Sequence, residues 1–179
     1  MDFKNNDIDY LKIYKNLIKI NDIETFLDII KLKEVTIDEY YELLGECVIR
    51  KNLEFYICID KIIMKNLEKY EKILPDFHKI ESNKIYTKIN DHNILSYVID
   101  NHFNLINIET FNTILYESSY TYNLQVFILA SKYGNDFGPS YYEASRCGNN
   151  SIIEYINELT NKKYFSFQDG INNLIKKYS

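Results

Sequence analysis

An Asn or Asp followed by apolar side chains three, four and seven positions later recurs five times in this chain, with Thr25 the one poor core residue among the fifteen, and few folds can accommodate that recurrence. The anchors are Asp22, Asn52, Asp91, Asn123 and Asn149. Their stripes are Thr25, Phe26 and Ile29; Phe55, Tyr56 and Ile59; Ile94, Leu95 and Val98; Val126, Phe127 and Ala130; and Ile152, Ile153 and Ile156. Spacing of this kind puts three side chains on one face of a helix. A short side chain with an acceptor oxygen just before the stripe suits the N-cap, where it takes a free N–H of the first turn. Successive anchors are 30, 39, 32 and 26 residues apart. A unit of that length cannot bury its apolar face alone, so the recurrence predicts stacked helical hairpins.

A second face precedes each anchor by eight, five and four residues. It reads Tyr14, Leu17 and Ile18; Leu44, Cys47 and Val48; Asn83, Tyr86 and Thr87; Leu115, Ser118 and Ser119; and Tyr141, Ala144 and Ser145. Each unit is therefore read as a first helix, a break, and a second helix begun by the anchor. In the clearest copy, Tyr141 to Leu159, the break is Gly148, which turns the chain with φ > 0 at little steric cost. The face at Asn83, Tyr86 and Thr87 is poor in apolar residues, and a single helical turn is expected there. Thr36 or Asp38 is a candidate N-cap for the helix running to about Arg50, and Pro75 is expected to end the long helix that follows Asn52. The units lie near 8–34, 35–74, 80–105, 106–137 and 138–160. Ser166 to Tyr178 reads as a terminal helix whose Phe167, Ile171, Leu174 and Ile175 would cap the stack. The expected fold is thus all-α, a solenoid of about five antiparallel hairpins in one domain spanning 1–179, and a compact helical bundle is the competing architecture.

The run NLQVFILASKYGNDF, Asn123 to Phe137, resembles the second helix and following turn of an ankyrin repeat. ASRCGNNSIIEYI resembles the alanine, glycine and apolar-pair core of the next, and HNILSYVIDNHFNL is a weaker third copy. The family resembled is that of the divergent ankyrin-like repeats of large DNA viruses. No copy carries the Thr-Pro-Leu-His opening, and the turn survives as Gly134-Asn135-Asp136 and faintly as His102-Phe103-Asn104. The resemblance implies a non-enzymatic module that binds another protein. Only Arg50 and Arg146 are arginines beside abundant Lys, Asn, Ile and Tyr, a bias expected of an AT-rich genome, whether of such a virus or of a cellular parasite.

With 46% hydrophobic and 26% charged residues but only 5 Gly and 2 Pro, the composition suits helices better than a turn-dense sheet protein. A net charge of −5 argues against an extended phosphate-binding surface, so no nucleic-acid partner is expected. Cys47, Cys58 and Cys147 have no metal-ligand spacing and leave one unpaired in any disulfide scheme, pointing to a reducing, cytoplasmic compartment. The opening MDFKNNDIDY lacks a signal-peptide pattern, and no apolar run is long enough to span a membrane. His78, His92 and His102 form no ligand pair, and no phosphate-loop or nucleophile-elbow motif is present. No catalytic residue, metal or cofactor is therefore expected. What remains is a surface expectation. Seven and six residues before the last two anchors stand Tyr116-Glu117 and Tyr142-Glu143, predicted to lie side by side on adjacent first helices. Aromatic anchors ringed by charge suit a partner with a basic or mixed surface.

Overall fold

The computed structural model describes residues 9–33, 35–71 and 77–160. Among them the protein is all-helical, with ten α-helices, one turn of 3-10 helix and no strand. The chain divides into two compact units, Met1–Phe77 and His78–Ser179. The terminal helix expected over 166–178 and the stop at Pro75 fall outside the described residues. None of the described helices is long and apolar enough to cross a membrane.

In the first unit α1 (Tyr10–Ile20) packs on α2 (Ile23–Ile30) and α3 (Ile37–Arg50), and α3 packs on α4 (Leu53–Glu71). Thr36 starts α3 as one half of a capping box. Its hydroxyl accepts from the Glu39 N–H, and the Glu39 carboxylate accepts from the Thr36 N–H at 2.8 Å. The core is a row of rings: Tyr14 meets Phe26 edge-on at 5.3 Å, and Phe26 meets Phe55 the same way at 5.3 Å. In the second unit α5 (Phe77–Tyr86) and α6 (His92–His102) are followed by the 3-10 turn Phe103–Leu105. Then come α7 (Ile108–Tyr120), α8 (Leu124–Ala130), α9 (Phe137–Cys147) and α10 (Asn150–Leu159). Here α7 packs on α8 and α9, α9 on α10, and α8 on both α6 and α10.

The apolar stripes behave as their spacing predicts. All are buried except Thr25, which is exposed, and Ile29 and Ile153, which are half-buried. Every anchor also caps its helix, its side-chain oxygen accepting from the N–H three residues on: Thr25 at 3.0 Å, Phe55 at 3.1 Å, Ile94 at 3.0 Å, Val126 at 3.2 Å and Ile152 at 3.4 Å.

The break before the anchor follows one geometry in four of the five copies. The preceding residue is left-handed, with φ of 58° at Asn21, 56° at Lys51, 60° at Tyr122 and 74° at Gly148. The anchor N–H then reaches back to the carbonyl five residues earlier, on Leu17, Cys47, Ser118 and Ala144. At Asn21, Lys51 and Gly148 the left-handed residue's own N–H goes to the carbonyl three back, completing a Schellman motif. Helix end and helix start are thus fused into a two- or three-residue link.

The third copy departs from this. Its first helix, expected to be a single turn, is the ten-residue α5. The helix holds because its inner face need not be apolar if its polar groups are paired. Ser82, Ile85 and Tyr86 are buried, while the Asn83 amide donates to the carbonyls of Lys79 and Leu105, both at 2.7 Å. Asn90 is not left-handed, and the link to α6 is longer. His102, expected in a turn, is the buried last residue of α6 with its ring edge-on to Tyr97 at 6.1 Å.

Three anchors do more than cap. The Asn52 amide donates to the Ile18 carbonyl at 3.1 Å and to Asn21 Oδ1 at 3.0 Å. Asn123 donates to the backbone and side-chain oxygens of Asn90 at 3.1 and 2.9 Å, and Asn149 to the Ser119 carbonyl at 3.1 Å. Each therefore ties its own helix pair to the one before.

Asn123→Asp keeps the capping oxygen but turns the donating amide towards two oxygens as a carboxylate. Thermal unfolding should show a loss of about 1–3 kcal/mol, whereas Asp91→Asn, at an anchor whose side chain only accepts, should stay within about 0.5 kcal/mol. Glycine is also placed against its preferences. Gly45 lies inside α3 with nothing within 4 Å of an added Cβ, and Lys51 holds a left-handed φ. Gly45→Ala and Lys51→Gly should each raise stability by about 0.5–1 kcal/mol in the same measurement.

Candidate functional site

Helices α7 and α9 lie side by side, so the tyrosine-glutamate pairs expected to be neighbours are on adjacent elements. Tyr116 and Tyr142 reach the surface, 39% and 37% exposed, and Glu117 is exposed beside them. Glu143 is not part of that surface. Although it occupies the same position relative to its anchor as Glu117, it is only 4% exposed. The difference lies one turn on, where Glu117 is followed by Tyr120 and Glu143 by Arg146. The guanidinium donates from Nε to one carboxylate oxygen at 3.1 Å and from Nη2 to the other. The Cys147 thiol donates to the same carboxylate at 3.4 Å.

The pair alters both partners. The hydrogen bond from Arg146 holds the Glu143 carboxyl below the usual carboxylate range, and Glu143 in turn raises the guanidinium pKa, with a smaller contribution from nearby Tyr116. The Cys147 thiol is pushed up by desolvation and by Glu143, which disfavours the nucleophilic thiolate. Burial does the same to Cys47 and Cys58.

Two further tyrosines belong to the face. Tyr120 is 55% exposed and lies one turn beyond Tyr116, a spacing of four that could have been read from the sequence. Tyr122 is 58% exposed at the left-handed position, and its hydroxyl donates to the Cys147 carbonyl at the end of α9. Nothing in the apolar periodicity marks that residue. Tyr116, Tyr120 and Glu117 on α7, Tyr122 just after it and Tyr142 on α9 are thus all exposed, while Glu143 is held by Arg146.

Elsewhere in this unit a groove of about 490 Å³ runs between α5 and α7, lined by Lys79, Ile80, Asn83, Glu109, Thr110 and Thr113 among others. Its polar floor is internally paired: Asn83 Oδ1 accepts from Thr110 Oγ1 at 2.6 Å, and Asn107 Oδ1 accepts from the Thr110 N–H at 2.7 Å. Gly134 matters for a different reason from Gly148. A Cβ there would meet Leu115 Cδ1 at 2.7 Å, and the adjoining N–H groups of Asn135 and Asp136 donate to Asn112 Oδ1 at 2.9 and 3.1 Å. That seats the Gly134-Asn135-Asp136 turn on α7. Among the described residues no group of three His, Cys, Asp or Glu could hold a metal ion, and His78 falls where side chains are not described.

No family model, curated protein or solved structure matches this chain.

The Glu143 shift has a definite sign. A carboxyl depressed in the folded state stabilises the fold above its ordinary value, and that contribution is lost as pH falls through the folded value. Melting temperature should therefore drop on acidification below about pH 4. Glu143→Gln should melt lower at neutral pH and show a shallower acid decline in parallel scans.

Proposed function

We propose that the protein is a non-enzymatic, ankyrin-like helical-repeat module that binds another protein through the first-helix face of α7 and α9. What carries this reading is the cluster of exposed tyrosines on two adjacent first helices, with Tyr116, Tyr120 and Tyr142 all more than a third open to solvent. Tyrosine supplies a large, stiff contact area with a polar tip, which is why it recurs at interface centres. Support for the solenoid comes from the layering within each unit, where first helices α1 and α3, or α7 and α9, are neighbours and second helices α6, α8 and α10 form a row. The recurring left-handed link and the backward-reaching anchor amides fit a stack in which each pair contacts only its neighbours. The resemblance to the ankyrin-like repeats of large DNA viruses suggests a host or viral protein as the partner.

Selection of binding peptides by display on the folded protein tests this. Binders should compete with one another for the α7/α9 face, and Tyr116→Ala/Glu117→Ala/Tyr142→Ala should lose them about tenfold or more while helicity and melting stay unchanged. Glu143 is left intact in that variant because it is buried. Binders that ignore the triple variant would place recognition elsewhere.

A further inference from the structure

One covalent reaction is written into the sequence at an anchor. Asn149-Asn150-Ser151 is the one Asn-x-Ser/Thr triplet of the chain, the acceptor pattern for an N-linked glycan. Such a triplet suits a surface loop, where the amide nitrogen is accessible. Here the acceptor begins the last helix, and the fold has already used its carboxamide. Asn149 is 5% exposed, its Nδ2 donates to the Ser119 carbonyl at 3.1 Å, and its Oδ1 accepts from the Ile152 N–H at 3.4 Å. Ser119, near the end of α7, is itself fully buried. Ser151, by contrast, is exposed in the first turn of α10, and its hydroxyl makes no hydrogen bond among the described residues.

Glycan transfer needs the Asn149 nitrogen free. It attacks the anomeric carbon of a lipid-pyrophosphate-linked oligosaccharide: the C–N bond forms, the C–O bond to pyrophosphate breaks, the lipid pyrophosphate leaves, and the amide gives up one proton. In the folded chain that nitrogen is buried and bonded and the triplet is wound into a helix start, so the reaction is closed. In the unfolded chain it is open. Once attached, the sugar replaces one amide hydrogen on a side chain almost closed to solvent. The remaining N–H can reach Ser119 only by drawing the sugar into the seam between α10 and α7, where its hydroxyls lose water. We infer that Asn149 is an N-glycosylation acceptor in the unfolded chain alone, and that glycan and fold exclude each other. A modified chain cannot seat α10 against the end of α7, so the protein reaches its fold in a compartment where no such transfer takes place. This holds whatever the α7/α9 face binds.

The test is cell-free synthesis of the full chain behind an added signal peptide, with endoplasmic-reticulum microsomes and a thiol reductant that keeps Cys47, Cys58 and Cys147 free. Modified and unmodified chains then arise in one sample, separated by mass and identified by glycosidase. After detergent release, limited proteolysis should remove the glycosylated chains about tenfold faster or more. A bulky, soluble glycan on an intact surface would shield the chain instead, so the sign of the difference is diagnostic. Ser151→Ala abolishes the acceptor pattern at an exposed residue. That variant should stay unmodified in the microsomes, resist protease as unmodified wild type does, and, made without microsomes, melt within about 2 °C of wild type. Glycosylated chains as resistant as unmodified ones would overturn the inference. So would wild type that enters the microsomes and remains unmodified, or Ser151→Ala that is as protease-sensitive there as the glycosylated chain.

Discussion

The structure depends on the carboxamide of the anchor asparagine. At Asn52, Asn123 and Asn149 a single side chain meets two demands: its oxygen closes the first turn of the helix it begins, and its N–H groups satisfy oxygens at the end of the preceding first helix. The carbonyls at a helix end lack intrahelical partners; at Ser119 the amide supplies one, and at Ile18 it adds a second donor beside the Asn21 N–H. Aspartate has the acceptors but no donor, and a serine hydroxyl, with a single donor, could not make the two donations seen at Asn52 and at Asn123. The residue types follow this logic. Aspartate stands at 22 and 91, the first anchor of each compact unit, where the side chain only accepts, and asparagine stands wherever an earlier pair lies behind it in the same unit.

Because the anchor must face two ways, the link before it is short and geometrically demanding. A left-handed residue followed at once by an N-cap reverses the chain in minimal length, and glycine is the residue that tolerates it best. Only one of the four left-handed links uses glycine. Each of the others bears roughly 1–2 kcal/mol of strain, which persists only where the surrounding contacts over-determine the turn. At Asn21 the side chain receives the Asn52 amide, and at Tyr122 the hydroxyl is tied to the Cys147 carbonyl, so both side chains gain something from the awkward position. Lys51 is exposed and shows no such return.

Legibility in the sequence divides along the same line. The buried faces were readable because a period of 3.6 is a property of one helix, and a stripe at plus three, four and seven names its residues without knowledge of neighbours. The N-caps were readable for the same reason. What could not be read is whatever requires a second element. Asn21, Lys51 and Tyr122 stand where the clearest copy has Gly148, yet the left-handed conformation is retained there with hydrogen bonds that span the link. The face of α5 looked too polar for a helix because its compensation is an asparagine bonded to a carbonyl 22 residues away. Glu143 looked like a twin of Glu117 because both precede their anchors by six. Glu143 is buried and paired with the arginine one turn later, whereas Glu117, with a tyrosine there, is exposed.

The contrast between those two glutamates shows where this architecture leaves room for recognition. Positions four, five and eight before the anchor carry the packing of the first helix, and those three, four and seven after it carry that of the second. The rows three, six and seven before the anchor are more exposed, Ile85 and Glu143 excepted, and their residues vary: Lys19, Ile49, Lys88, Tyr120 and Arg146 in one; Asn16, Glu46, Ile85, Glu117 and Glu143 in another; Lys15, Gly45, Lys84, Tyr116 and Tyr142 in the third. In the first four copies these rows hold one aromatic pair, Tyr116 and Tyr120, and the fifth adds Tyr142 with an arginine that folds onto its own glutamate. A surface composed from positions released by packing can change its chemistry without disturbing the core. Its limit appears at Glu143, a member of these rows that is buried and held by the arginine of the neighbouring row. Neighbouring rows on one helix are chosen together, and the unpaired Glu117 is the acid that such a pairing left free.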